Sequence, residues 1–140
     1  MLQCTSFAHL PEIDALVALT TMPGGPADPP EALAEHKRAL CELGEHSEYD
    51  EHAARLWPVE TEDRGDLWFF WAPGHYRFTA LPPCSALSGH GPVSKIKGCT
   101  LHLMHAAGHS WEVTDPLGDL LDAIARREVR RILRDNPHTD

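Results

Sequence analysis

Cys99, His102, His105 and His109 stand within eleven residues of one another, in the stretch GCTLHLMHAAGHSWEV at 98–113. Thiolate and imidazole are the ligands that tetrahedral zinc takes, so these residue types raise the question of a metal site. Whether they meet depends on the backbone that carries them. The alternation of apolar and polar residues predicts a β-hairpin, with Ala106, Ala107 and Gly108 as its loop and Gly108 in the left-handed conformation. In that register His105 pairs with His109, Leu103 with Trp111 and Leu101 with Val113. His102 and His105 then point to opposite faces, and Cys99 lies about 20 Å along the strand from His105. A regular strand therefore excludes the four-ligand site. It leaves a His102/Glu112 pair on the polar face and a His105/His109 pair at the edge of the apolar face.

The C-terminal segment supplies a third group for the second pair. Thr114 or Asp115 caps a long helix with Pro116 in its first turn, and Leu117, Leu120, Leu121, Ile124 and Ile132 form its apolar stripe. Glu128 falls inside that stripe, where a carboxylate needs a partner. A helix running back across the sheet carries residue 128 about 18 Å from its start, which matches the distance of about 20 Å from Asp115 back to His109. His105, His109 and Glu128 are thus a candidate catalytic or metal-binding set, suited to an open metal site or to general acid/base chemistry. The bland reading pairs Glu128 with Arg127 or Arg131 and leaves both histidines at an exposed hairpin tip.

Other groupings carry less. Cys4, Cys41, Cys84 and Cys99 are scattered, form no CxxC pair and read as free thiols of a reducing compartment. Cys84 and His90 share a Pro/Gly-rich loop. Glu48 and His52 fall four residues apart on an expected helix face. The chain has no GxGxxG, GxxxxGK[ST] or HExxH pattern and no evident internal repeat, so nucleotide-binding and zinc-protease readings lose their usual support.

The elements that must position these groups form an α+β fold, read as one domain over 1–140. LPEIDALVALT is a helix with Leu10, Ile13, Leu16 and Val17 at helical spacing, ended by MPGGPADPP. Pro30 opens a second helix, with Leu33, Leu40 and Leu43 inward and Gly44 as its stop. SEYDEHAARLW reads as a third, capped by Ser47 and ended by Pro58. DLWFFWAPGHYRFTAL is a hairpin in which Trp71 pairs with Tyr76 and Phe69 with Phe78, because only that register gives a wholly apolar face. Trp68 and Phe70 fall on the other face, to be covered by the N-terminal helices. An antiparallel sheet of about four strands results, with the long C-terminal helix packed on it.

Charge sets the functional expectation. Residues 1–66 carry 14 acids and 4 bases, net −10, whereas residues 67–140 carry 7 acids and 8 bases, net +1. An acidic half repels nucleic acid and steers a basic protein partner toward Glu45, Glu48, Asp50 and Glu51. The basic run ARREVRRILR reads as a solvated helix face. No apolar run approaches a membrane span and the N-terminus lacks the marks of a signal peptide, so the expectation is a cytoplasmic protein without a membrane partner. The leading function is a small binding protein of the inhibitor or immunity type, needing no cofactor. The alternative is a small enzyme using His105, His109 and Glu128, with zinc as its metal.

Overall fold

The computed structural model describes residues 1–59, 65–89, 91–106 and 108–135. In chain order the elements are β1 (Phe7–His9), α1 (Glu12–Thr21), α2 (Pro29–Ala34), β2 (Arg38–Leu40), β3 (His52–Trp57), β4 (Asp66–Ala72), β5 (His75–Leu81), two single-turn 3-10 helices (Val93–Lys95 and Ser110–Glu112) and α3 (Pro116–Asp135). The fold is α+β, but its strands form two small antiparallel sheets, β1-β2 and β3-β4-β5, in place of one sheet of four.

The aromatic hairpin has the register its pattern selects: Trp71 faces Tyr76, Phe69 faces Phe78 and Leu67 faces Ala80. Pro73 presets its own φ and Gly74 supplies φ +85°, a combination that suits a type II turn. β4 is buried along its whole length, because β3 and β5 flank it and both its faces are covered. On the Phe69/Trp71 face the N-terminal elements pack: Trp71 Nε1 donates to Ser6 Oγ at 3.3 Å, and the Tyr76 hydroxyl bonds Asp14 of α1. On the Trp68/Phe70 face the cover is not the expected helices. It is the His102 ring, centred 5.1 Å from Trp68 and 5.0 Å from Phe70 in edge-on contacts.

Of the next two expected helices, one is cut short and the other gives way to strand. The second stops at Ala34, after Asp28 has capped it through the Glu31 N–H, and the chain turns into β2. There the alternation of two wins over helical spacing: Ala39 and Cys41 are buried while Arg38 and Leu40 are exposed. The third is β3, whose Ala53, Ala54 and Leu56 are buried against the sheet. A neighbouring edge of β4 that needs hydrogen-bond partners overrides the helix propensity of Ala-Ala-Arg-Leu. Helix α1 forms as expected but buries Ala15 and Leu19, leaving Ile13 and Val17 in solvent.

The hairpin expected over 98–114 is absent among the described residues. Leu87 bridges Gly98 and Pro83 bridges His102, after which the His105 N–H returns to the His102 carbonyl at 3.3 Å in a tight turn through Leu103 and Met104. Met104 takes φ +64°, a left-handed conformation that an unbranched non-glycine residue adopts at a cost of about 1 kcal/mol. Gly108 does take positive φ, at +95°, and leads into the second 3-10 turn. Of the expected inward face only Leu101 is buried. Leu103 is exposed, and Trp111 and Val113 are half-buried.

Helix α3 has the expected extent, with Asp115 accepting the Gly118 N–H at 3.0 Å. Its expected packing on the sheet does not occur. All its residues are exposed except the half-buried Gly118, and Leu121 and Ile124 lie in solvent. Helical periodicity guarantees an apolar stripe but does not say what covers it. No helix among the described residues is long and apolar enough to cross a membrane.

Candidate metal centres

Two groups of four side chains bring their sulfur and nitrogen atoms within 4.8 Å of one another: Cys4, Cys41, His46 and His52, and Cys84, Cys99, His105 and His109. Either group could hold a metal ion. In the first, Cys4 precedes β1, Cys41 follows β2, His46 stands on the loop after it, and His52 opens β3. In the second, Cys84 follows β5 and the other three lie on the turns over 99–109.

The two groups are built alike, atom for atom. Cys41 Sγ lies 3.5 Å from His46 Nε2, and Cys99 Sγ lies 3.4 Å from His105 Nε2. Cys4 Sγ lies 3.4 Å from His52 Nδ1, and Cys84 Sγ lies 3.6 Å from His109 Nδ1. A tetrahedral ion with arms of about 2.3 Å to sulfur and about 2.0 Å to nitrogen holds those atoms about 3.5 Å apart. These four Cys–His distances therefore match the edge of such a tetrahedron.

Their supports match as well. His46 Nδ1 lies 2.9 Å from the Ser47 carbonyl and His105 Nδ1 lies 2.6 Å from the Ala106 carbonyl. An Nδ1–H donating there fixes the tautomer that leaves the Nε2 lone pair for a metal. The Cys4 N–H donates to the Leu43 carbonyl and the Cys84 N–H to the Leu101 carbonyl, both at 2.8 Å. The backbone N–H groups of Ala53 and Leu43 are aimed at the Cys41 thiol, as those of Ser110 and Leu101 are at Cys99. In each group the donors are the residue two past the cysteine and the residue just after the last histidine. The last histidine in each group also lies against an indole: His52 is centred 5.4 Å from Trp71, and His109 stacks on Trp111 at 4.7 Å.

The two buried thiols differ in charge. Burial pushes Cys41 up to about 11, outweighing its two N–H donors, with the nearby Cys4 adding to the rise. At Cys99 burial acts the same way, but the N–H groups of Ser110 and Leu101 and the His109 ring overcome it and bring the thiol down to about 6. Burial lowers His52, with His46 contributing. Burial also lowers His102, against the opposing hydrogen bond to Leu103.

Of the sequence-derived set, His105 and His109 come together, their rings centred 5.1 Å apart. Their companions are Cys84 and Cys99, so the expected separation of about 20 Å between Cys99 and His105 is corrected, although the set with His102 does not form. That separation assumed a regular strand, and the turn at Met104 removes that premise. His102 is no ligand: its Nδ1 lies 2.9 Å from the Leu103 carbonyl while its ring covers Trp68 and Phe70. The His102/Glu112 pair does not form, since the Glu112 carboxylate accepts the His109 N–H instead. Glu128 belongs to neither group. It lies on exposed α3 and grips Arg131 through two bonds of 2.6 and 3.2 Å, the bland reading of that residue.

Sequence reasoning missed Cys4, Cys41, His46 and Cys84 as possible ligands, and it considered His52 only as a weak metal pair with Glu48, which is in neither group. The signal was present as a degenerate repeat: Cys41-x4-His46-x5-His52 and Cys99-x5-His105-x3-His109, each preceded by a lone cysteine, with Cys-x-Leu opening both. The unequal gaps hide it from a search at fixed period. His90, paired with Cys84 in the sequence reading, lies outside the described residues.

The acidic side chains singled out for a partner sit on the same loop as the first group. Glu45, Glu48 and Asp50 are exposed. Glu51 is spent on Arg77, to which it is bonded twice at 2.8 and 2.9 Å, and the Arg77 side chain draws its pKa down.

Comparison of the chain with known protein families, with curated proteins and with solved structures finds no match.

Proposed function

We propose that this chain is a zinc-binding protein with two structural Cys2His2 centres, and that the first centre holds an acidic loop in shape for docking a basic protein partner. The observation that carries the reading is duplication. The same four donor atoms, the same ring-to-carbonyl bonds and the same N–H groups on the thiol recur on two separate stretches of backbone. Chance clustering of polar side chains does not repeat its supporting hydrogen bonds. Zinc is favoured because mixed thiolate and imidazole donors in a tetrahedron suit it, and hard cations such as calcium and magnesium prefer oxygen.

Four protein donors fill a tetrahedral shell and leave no place for a reacting water, which supports a structural role over a catalytic one. The acidic loop at 45–51 is tied at His46 and at His52, so a metal there shortens the free loop to the five residues between them. Its exposed Glu45, Glu48 and Asp50 then present a fixed negative surface that attracts cationic side chains.

The test is elemental analysis of protein purified without chelator, followed by variants. Two zinc equivalents are expected for the wild type and one for either Cys41→Ser or Cys99→Ser. Protein without metal, whose melting temperature does not move on zinc addition, overturns the reading.

A further inference from the structure

A cavity of about 280 Å³ lies between the loops that carry the two metal centres. Leu43, His46 and Asp50 line it from the first loop, and His102, Met104 and Ala106 from the second. It stands at the small end of ligand sites, with room for one extended side chain or a molecule of that size. His102 is its unusual member. The bridge from Pro83 to His102 has the place that the bridge from Gln3 to Gly44 has beside the first centre, one residue before the first cysteine and three after the second. Glycine serves at that point in the first group, so building the second does not demand an imidazole there. The cover over Trp68 and Phe70 demands only a ring. His102 is 8% exposed, its Nδ1–H is spent on the Leu103 carbonyl at 2.9 Å, and burial keeps the ring neutral. Its Nε2 is therefore an acceptor, and it has no hydrogen-bond partner among the described residues. A buried polar atom ordinarily has one, and the cavity is where it can stand.

Charge says what kind of group fits. Asp50 and Glu51 bring two negative charges to the lining, and Arg77, bonded twice to Glu51, brings one positive charge. A centre filled with zinc adds none, since two thiolates balance the ion. The lining is thus net negative. Its uncommitted polar atoms, the Asp50 carboxylate oxygens and His102 Nε2, all accept hydrogen bonds. Leu43 and Met104 offer apolar contact to a hydrocarbon stem. A cation with several N–H donors on such a stem matches each of these features.

We propose that this cavity binds an alkylammonium or guanidinium group, which donates to His102 Nε2 and to the Asp50 carboxylate. The site deepens the reading of a basic partner and rests on it for the source of the cation, a lysine or arginine side chain. The zinc-loaded protein is titrated with butylammonium chloride and with butylguanidinium chloride and followed by amide NMR. Saturable shifts at Asp50, His102 and Met104 are expected from at least one of the two. Asp50→Asn should weaken binding about tenfold through loss of a charge-assisted bond. His102→Phe keeps a ring over Trp68 and Phe70 and should weaken it similarly; if that variant does not fold, Asp50→Asn and Arg77→Gln carry the test. Arg77→Gln leaves Glu51 unpaired and should tighten a cation several-fold, whereas an anion held by Arg77 would be lost. Blocked lysine and arginine peptides identify the source. Peptide shifts at the same residues assign the cation to a partner's side chain; free cation bound while the peptides are excluded assigns it to a small amine, which upholds the site and retires the protein partner there. No saturable shift from either cation, shifts indifferent to both Asp50→Asn and His102→Phe, or binding of acetate that Arg77→Gln abolishes overturns the proposal. Zinc content measured on the same samples reports separately on the metal reading.

Discussion

Zinc should enter the two centres in a fixed order, and the order follows from the thiols. A cysteine binds zinc as thiolate, so a proton on the sulfur competes with the metal. At pH 7 Cys99, brought down to about 6, is about nine-tenths ionised before any metal arrives. Cys41, held at about 11, is protonated at pH 7, so freeing its sulfur costs free energy that weakens the affinity of its centre by orders of magnitude. Cys4 and Cys84 hold corresponding places, so the difference rests on Cys41 and Cys99. The sign is fixed. Between pH 7 and 9 the Cys41 centre gains about tenfold per pH unit from this thiol, while the Cys99 centre gains almost nothing and weakens through it only as pH falls toward 6 and below. The assay is competition against a chromophoric zinc chelator across pH 6 to 9, run on Cys41→Ser and Cys99→Ser so that each variant reports a single centre. The Cys99 centre, left intact in Cys41→Ser, should bind far more tightly at pH 7, and the slope of log affinity against pH should be steeper by about one proton for the other. Equal affinities with equal slopes would refute the reasoning.

Three further outcomes are expected. Replacing Met104, whose φ is +64°, by Asn should relieve left-handed strain and raise the melting temperature by a few degrees, corresponding to about 0.5–1 kcal/mol, with metal content unchanged. Trp68→Phe should cost less stability than Trp71→Phe by about 1 kcal/mol in urea unfolding of the zinc-loaded protein, because buried Trp68 Nε1 has no partner among the described residues whereas Trp71 Nε1 bonds Ser6. Reversing the charge of Glu45, Glu48 and Asp50 should leave zinc content alone and slow capture by a basic protein, and the wild-type on-rate should fall with salt; salt-independent capture would move the contact to another surface.

How much could be read in advance divides along physical lines. The β4–β5 hairpin was legible because a one-residue slip would have turned Arg77 and Thr79 inward, a penalty local to the segment. The bounds of α1 and α3 were legible through Pro and Asp at their starts. Strands β2 and β3 were not, since their residues form good helices in isolation and become strands only because β1 and β4 offer edges to pair with. The sheet expected under α3 was illegible for the reverse reason: the stripe of Leu121 and Ile124 is intrinsic to the helix, and its partner is not. The centres hid behind two separate facts. Cys4 and Cys84 come from far outside the dense stretch, and a single left-handed residue at Met104 turns an alternation that reads as strand into a loop. Its consequence is that His105 and His109 meet Cys84 and Cys99.

The first residues of the chain form a seam whose consequence is kinetic. Leu2 pairs with Thr114, Gln3 pairs with Gly44, and the Gln3 N–H bonds the Thr114 carbonyl at 2.8 Å. During synthesis the side of that seam at Gly44 is available early, while the side at Thr114 must wait for 70 further residues to be made. All four donors of the first centre lie before residue 53, so that group is complete in the chain while later residues are still being translated. The second group is complete only at His109. Joining residues more than a hundred apart in sequence is slow, because the entropy of closing so long a loop is spent before the contact returns anything. The seam is then the last part of the molecule to set and the first to fray.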